Sequence, residues 1–209
     1  MADRLLPPWA EDIRSTYLRG EASVFLLHGN VFDLIPHKGE LVPLVDFLNG
    51  VLLRKKEVVC HFNPSAGVKL LRREQKVPNL DELVAARDTE GSLLALEKTL
   101  RTSDGVAVVI DYAEMALPSG DLTLLAEADR KAIVTVHRWS LDRRFESSDN
   151  VVVLVAENPS DVAPKIVSNP RIQAVEVPLP DRDERAAILR LLEPEAAARD
   201  VERLADRSA

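Results

Sequence analysis

Five short apolar runs punctuate an otherwise mixed chain, at Ser23 to His28, Glu57 to Phe62, Val106 to Asp111, Val151 to Glu157 and Ala174 to Pro178. Most are rich in valine, isoleucine and leucine and do not alternate with polar residues, the pattern of strands buried on both faces of a parallel sheet. Between the first two lies Glu40 to Lys56, which places Leu41, Leu44, Val45, Leu48 and Leu52 on one helical face. It ends in Arg54, Lys55 and Lys56, cations that suit the negative end of a helix dipole. Leu80 to Arg101 carries apolar residues at helical spacing, with Gly91 as a candidate break. Asp121 to Phe145 reads as helix, although Ile133 to Val136 is β-branched. Asn63 to Leu80, dense in proline and charge, reads as an excursion from the sheet. Strands alternating with helices at these lengths predict an open parallel sheet with right-handed crossovers and helices on both faces.

After Pro180 the segment Asp181 to Ala209 is helical in pattern and highly charged, with no sign of a completed second core. The expected organisation is an N-terminal segment over 1–20, an α/β domain over 21–180 and the start of an incomplete helical lid over 181–209. The chain reads as a piece of a longer protein.

Composition narrows the class. A chain of 209 residues, 46% hydrophobic and 29% charged, suits one medium domain with a small appendage. Aromatics are only 4%, so the core must be aliphatic. A formal charge of −7 argues against general affinity for nucleic acid or anionic lipid. The single cysteine, Cys60, excludes an internal disulfide framework. With no apolar run near the ~18 residues a bilayer needs and no leader pattern in Met1 to Ala10, the expected compartment is the cytoplasm.

The chemistry concentrates in Val106-Ala107-Val108-Val109-Ile110-Asp111-Tyr112-Ala113-Glu114: five apolar residues, an acid, and a second acid three positions later. A buried strand that delivers a carboxylate at its C-terminal end places it in the crevice where α/β sheets bind ligands. This is the Walker B pattern, in which Asp111 holds Mg²⁺ and Glu114 polarises the attacking water. The plainer alternative is that Asp111 ends the strand and caps the next turn. A second apolar strand, Val151 to Val155, leads into Glu157, Asn158, Pro159, Ser160 and Asp161. Further on come Asn169-Pro170-Arg171-Ile172 and the exit Pro178-Leu179-Pro180-Asp181-Arg182.

On these residues the chain resembles AAA+ type P-loop ATPases, in topology from roughly Ser23 to Leu192 and in specific residues almost wholly in the second half. The resemblance implies a three-layer P-loop NTPase fold with a central five-stranded parallel sheet and a truncated C-terminal lid. It places Asn158 at the sensor position beside the γ-phosphate and Arg171 at the arginine finger that serves a neighbouring subunit. The implied cofactor is ATP or ADP with Mg²⁺. The implied partners are further copies of the chain or an intact C-terminal ATPase module of the same longer protein, with a protein client possible, no membrane, and no nucleic acid expected.

The first half departs from the family. A phosphate loop needs G-x-x-x-x-G-K-[ST], glycines that let backbone N–H groups cradle phosphate and a lysine to neutralise it. After the first strand stand Gly29-Asn30-Val31-Phe32-Asp33-Leu34-Ile35-Pro36-His37-Lys38-Gly39. Lys38 precedes its glycine, Asp33 repels phosphate, and the apolar residues resemble a packing plug. Gly29, Asn30, Lys38 and Gly39 are the candidate nucleotide contacts if the loop works in an unorthodox way. The resemblance is thus to a degenerate N-terminal module, impaired in ATP binding and hydrolysis and acting in assembly or regulation. An active ATPase and a nucleotide-independent interaction module are the alternatives. His28, His37, His61 and His137 are too scattered for a zinc site. Lys69, Arg72, Arg73 and Lys76 form a basic cluster in the excursion, best read as a solvated loop.

Overall fold

The protein is seen here as a computed structural model that describes residues 6–207 apart from 122, 194 and 196. The chain enters as helix α1 (Pro8–Leu18), with proline at its first position, where a missing N–H removes no helical bond. Strand β1 (Val24–Gly29) comes next, then a hairpin of β2 (Ile35–His37) and β3 (Glu40–Val42). Lys38 and Gly39 form the hairpin's two-residue turn, with φ of 51° and 83°, the left-handed pair that matches the strand twist. Helix α2 (Leu44–Phe47) begins only after Pro43 and runs directly into a π-helical turn, Leu48–Leu52. The helix expected from Glu40 is therefore shorter, because its first residues pair in the hairpin.

Next come β4 (Val58–Asn63), β5 (Gly67–Arg73), α3 (Leu80–Ala85) and α4 (Thr89–Thr102). The break between the two helices falls at 86–88 rather than at Gly91. Asp88 caps α4 by accepting the Gly91 N–H at 2.8 Å, which puts that glycine inside the first turn. Then come β6 (Val106–Ile110), α5 (Ala113–Ala116), α6 (Glu127–Leu141), α7 (Arg143–Ser147), β7 (Val151–Val155), α8 (Pro164–Val167) and β8 (Ile172–Val177). The described chain closes with α9 (Arg182–Leu192) and α10 (Ala198–Arg207).

One sheet carries the order β5-β4-β6-β7-β1-β8. All five expected strands lie in it and run parallel to one another. The sheet has a sixth strand that the apolar pattern does not announce: β5, which returns antiparallel to β4 out of the supposed excursion. Leu70 and Leu71 are adjacent and face opposite sides of the sheet among Lys69, Arg72 and Arg73, so the strand shows no apolar run, and a register shift opposite Val59 and Cys60 interrupts its pairing.

Burial on both faces explains why the strand runs do not alternate. Leu26, Val108, Ile110 and Leu154 pack against α4 and α6 on one side. Phe25, Leu27, Val109 and Val153 pack against α1 and α2 on the other. The result is a three-layer α/β domain. Helices α9 and α10 share a small cluster of their own, Ala186, Val201 and Ala205 with Leu189, and α9 also touches the β2–β3 hairpin. A capping box between Asp181 and Glu184 starts α9. Among the described residues no helix is long and apolar enough to cross a membrane.

One buried side chain sets the entry of the two central strands. Asn150 is 1% exposed. Its Oδ1 accepts the Val106 N–H at 2.8 Å, and its Nδ2 donates to the carbonyls of Leu100 at 2.8 Å and Ser103 at 3.2 Å. It therefore ties the end of α4 to the start of β6, at the residue before β7. Asn150→Ala leaves three main-chain groups without this partner in a dry site, so it should destabilise the domain by about 2–4 kcal/mol in chemical denaturation. A loss under ~0.5 kcal/mol would show that water replaces the amide.

Candidate nucleotide site at the carboxyl edge of the sheet

Strand β6 is buried throughout and ends at Ile110, so Asp111 emerges at the carboxyl edge with its N–H donated to the Phe62 carbonyl at 2.9 Å. Its side chain is only 15% exposed, and Oδ2 lies 3.5 Å from Nε2 of His61 on β4. The chain then turns through Tyr112, whose φ of 52° is left-handed, and Asp111 Oδ1 accepts the Tyr112 N–H at 3.2 Å. The carboxylate thus performs the turn-capping role at the carboxyl edge of the sheet.

This turn starts the four-residue α5 and brings Glu114 back beside Asp111. Glu114 Oε2 is buried without a hydrogen-bond partner. Burial raises the pKa of this carboxyl, a hydrogen bond from its own backbone N–H opposes the shift, and the negative charges of Asp111, Asp161 and Glu157 raise it further. The crevice is therefore electronegative around Glu114, and among the described residues no lysine or arginine offsets that shift.

Strand β7 ends next to β1, and its following loop brings in Glu157 and Asn158. Asn158 is exposed, with extended backbone, and opens the short 3-10 turn Pro159–Asp161. The β1 loop lies between this turn and the end of β8. Gly29 N–H donates to the Glu157 carbonyl at 3.0 Å, Asn30 N–H to the Val177 carbonyl at 2.8 Å, and Val31 N–H to the Gly29 carbonyl at 2.8 Å. Gly29 has φ of 91°, and a Cβ there would sit 2.8 Å from the Val177 carbonyl oxygen. Only glycine permits so close an approach. Beyond it, Phe32 stacks on Tyr112, with centroids 5.0 Å apart and planes at 28°. Both rings are exposed.

The structure thus gathers Asp111, Glu114, Asn158, Gly29 and Asn30 at one edge. Lys38 and Gly39 stand elsewhere, at the tip of the hairpin, where a methyl placed on Gly39 would meet nothing within 4 Å. Arg171 precedes β8, which runs parallel to β1, so it stands at the opposite edge of the sheet, about 17–20 Å away by strand length. It is exposed, and its N–H donates to Asn169 Oδ1 at 3.0 Å. Among the described residues, no group of three or more histidine, cysteine or acidic side chains converges as a metal site.

His61 and the Phe32–Tyr112 stack are not legible as site residues in the sequence. His61 and Asp111 both stand near the C-terminal ends of apolar runs. Their meeting depends on β4 lying beside β6 with Phe62 opposite Ile110, a neighbour relation that the order along the chain does not disclose.

No curated protein matches the chain. Residues 2–178 match the family described as AAA+ chaperone, N-terminal Rossmann-like domain. That match spans the whole six-stranded sheet and both flanking layers, in agreement with the α/β order, and the chain belongs to this family of AAA+ chaperone N-terminal domains.

Proposed function

We propose that this domain is a degenerate nucleotide site within a larger AAA ATPase, impaired in binding and hydrolysing ATP, and that it serves assembly or regulation. The observation that carries this reading is the fate of the loop after β1. A phosphate loop works by leaving consecutive N–H groups unpaired and aimed at the anion, at the N-terminus of a helix. Here the N–H groups of Gly29, Asn30 and Val31 are already donated within the protein. The chain then enters a hairpin, and the next helix starts only at Leu44.

Electrostatics points the same way. The carboxylates that raise the Glu114 pKa would repel a polyphosphate, and Lys38 stands at the hairpin tip. Asp111 and Glu114 suit the metal end of a nucleotide complex, but the groups around them do not fit its phosphates, so no hydrolytic step is assigned to this domain. Arg171 stands at the opposite edge from Asp111, so any nucleotide it serves belongs to a neighbouring subunit. Further copies of the chain, or an intact ATPase module of the same protein, are the partners this reading implies.

Isothermal titration with ATP and with ADP, each with Mg²⁺, tests the proposal. No heat is expected at protein and ligand concentrations near the millimolar range. Saturable binding that weakens in Asp111→Ala would overturn it and make the domain a nucleotide-binding module.

The crowded carboxylates generate a second expectation. A carboxyl with a raised folded-state pKa binds its proton more tightly when folded. Its ionisation therefore costs stability as pH rises from the ordinary carboxylate range through the raised value. Glu114→Gln removes that cost and should stabilise the domain at pH 7 by about 0.5 kcal/mol after solvent screening. The gain should fade at acid pH, where Glu114 is protonated in both states. Thermal melts at pH 7 and pH 4 check this, and an equal effect at both would place the cause in packing.

A further inference from the structure

At the opposite edge of the sheet a cleft of about 330 Å³ opens between α1 and the π-helical turn. Its walls are apolar: Ile13 and Leu18 from α1, Val51 and Leu52 from the π turn, Val151 and Val153 from β7. That volume lies at the lower end of small-molecule sites, ~300–1,000 Å³.

The cleft is held in shape by groups that are otherwise costly. A π-helical turn is rare and recurs at functional positions. This one is braced by Arg72, whose guanidinium donates to the carbonyls of Asn49 at 2.7 Å, Leu53 at 2.8 Å and Lys56 at 3.2 Å. So Arg72 belongs to the frame, and the supposed solvated basic cluster loses one member to it. Lys56 is 7% exposed. Its Nζ donates to the Tyr17 hydroxyl at 2.7 Å and to the Asp149 carbonyl at 2.5 Å, and pairs with Asp149 Oδ1 at 2.8 Å. Burial lowers the Lys56 pKa, and Asp149 opposes that shift. Asp149 itself sits in left-handed backbone, φ 54°, which a non-glycine residue keeps only where its surroundings fix it.

The charges around the cleft are not balanced. Among the described residues, Arg14, Arg54, Lys55 and Lys56 line it against Asp149 alone. Arg14 is paired with Glu11, and Lys56 with Asp149. Arg54 and Lys55 are exposed and make no ion pair with a described residue, so two cations at the cleft have no acidic partner among the described residues, in a chain of net charge −7.

We propose that this cleft binds a small amphipathic anion, an alkyl chain of medium length bearing one carboxylate, with the chain between α1 and the π turn and the carboxylate at Arg54 and Lys55. The site is separate from the Asp111 crevice and does not depend on whether that crevice takes nucleotide. Octanoate is the probe, and octanol is its neutral counterpart. Titration of the 209-residue chain, followed by backbone amide shifts, should give saturable changes confined to α1, residues 48–56 and the start of β7, with octanol binding more weakly. The double variant Arg54→Glu, Lys55→Glu should weaken octanoate about tenfold at low ionic strength and leave octanol unchanged. Val51→Trp, which fills the wall, should abolish both. Circular dichroism establishes that each variant is folded, and the unsubstituted titration decides alone if one is not. No saturable shifts, shifts centred elsewhere, or equal binding of octanoate and octanol would overturn the proposal.

Discussion

A backbone N–H donates one good hydrogen bond, and the loop after β1 has spent its first three. Gly29 gives its proton to the Glu157 carbonyl and Asn30 gives its proton to the Val177 carbonyl, so the exit of β1 is stitched to both neighbouring strands. The close approach depends on Gly29, because any Cβ would strike the Val177 carbonyl. In a phosphate loop such groups stay open for the anion, and the helix behind them adds its dipole. Here the bonds stabilise the sheet edge, and the loop continues into a hairpin. The arrangement is a closed, self-satisfied strand end, and the proposed loss of anion binding rests on it.

The remaining features of that edge agree with the proposal. Asp111 is shared between the Tyr112 N–H and the vicinity of His61, Glu114 lies among like charges, and Phe32 stacks on Tyr112, the residue after Asp111. The frame beneath is fully kept: Asn150 sets the entry of β6 and β7, and both faces of the sheet are covered. Fold and site chemistry have separate physical bases, so the fold is shown here independently of what the site does.

The same separation decides how much of the molecule is legible in its sequence. The parallel strands can be read because burial on both faces leaves unbroken apolar runs, and Asp111, Glu114 and Asn158 can be placed because they end or come just after such runs. Strand β5 cannot, because only Leu70 and Leu71 are apolar at its centre, one for each face, and cations flank them. The hairpin is hidden because Leu41, Leu44 and Val45 fit a helical spacing, although Pro43 starts the helix only after Leu41 has paired with Pro36. His61 needs the strand order. The commitment of the Gly29 and Asn30 amides is beyond reach for a further reason: a glycine-containing loop can face an anion or a carbonyl, and only the neighbouring strand ends decide.

Amide hydrogen exchange at Gly29 and Asn30, read by NMR with and without Mg²⁺ and ATP, measures that commitment directly. Both protons are expected to be protected in the free domain, at the level of the sheet's interior, and unchanged by millimolar nucleotide. Rapid exchange in the free domain, with protection gained when nucleotide is added, would contradict this and show a phosphate loop that is open after all.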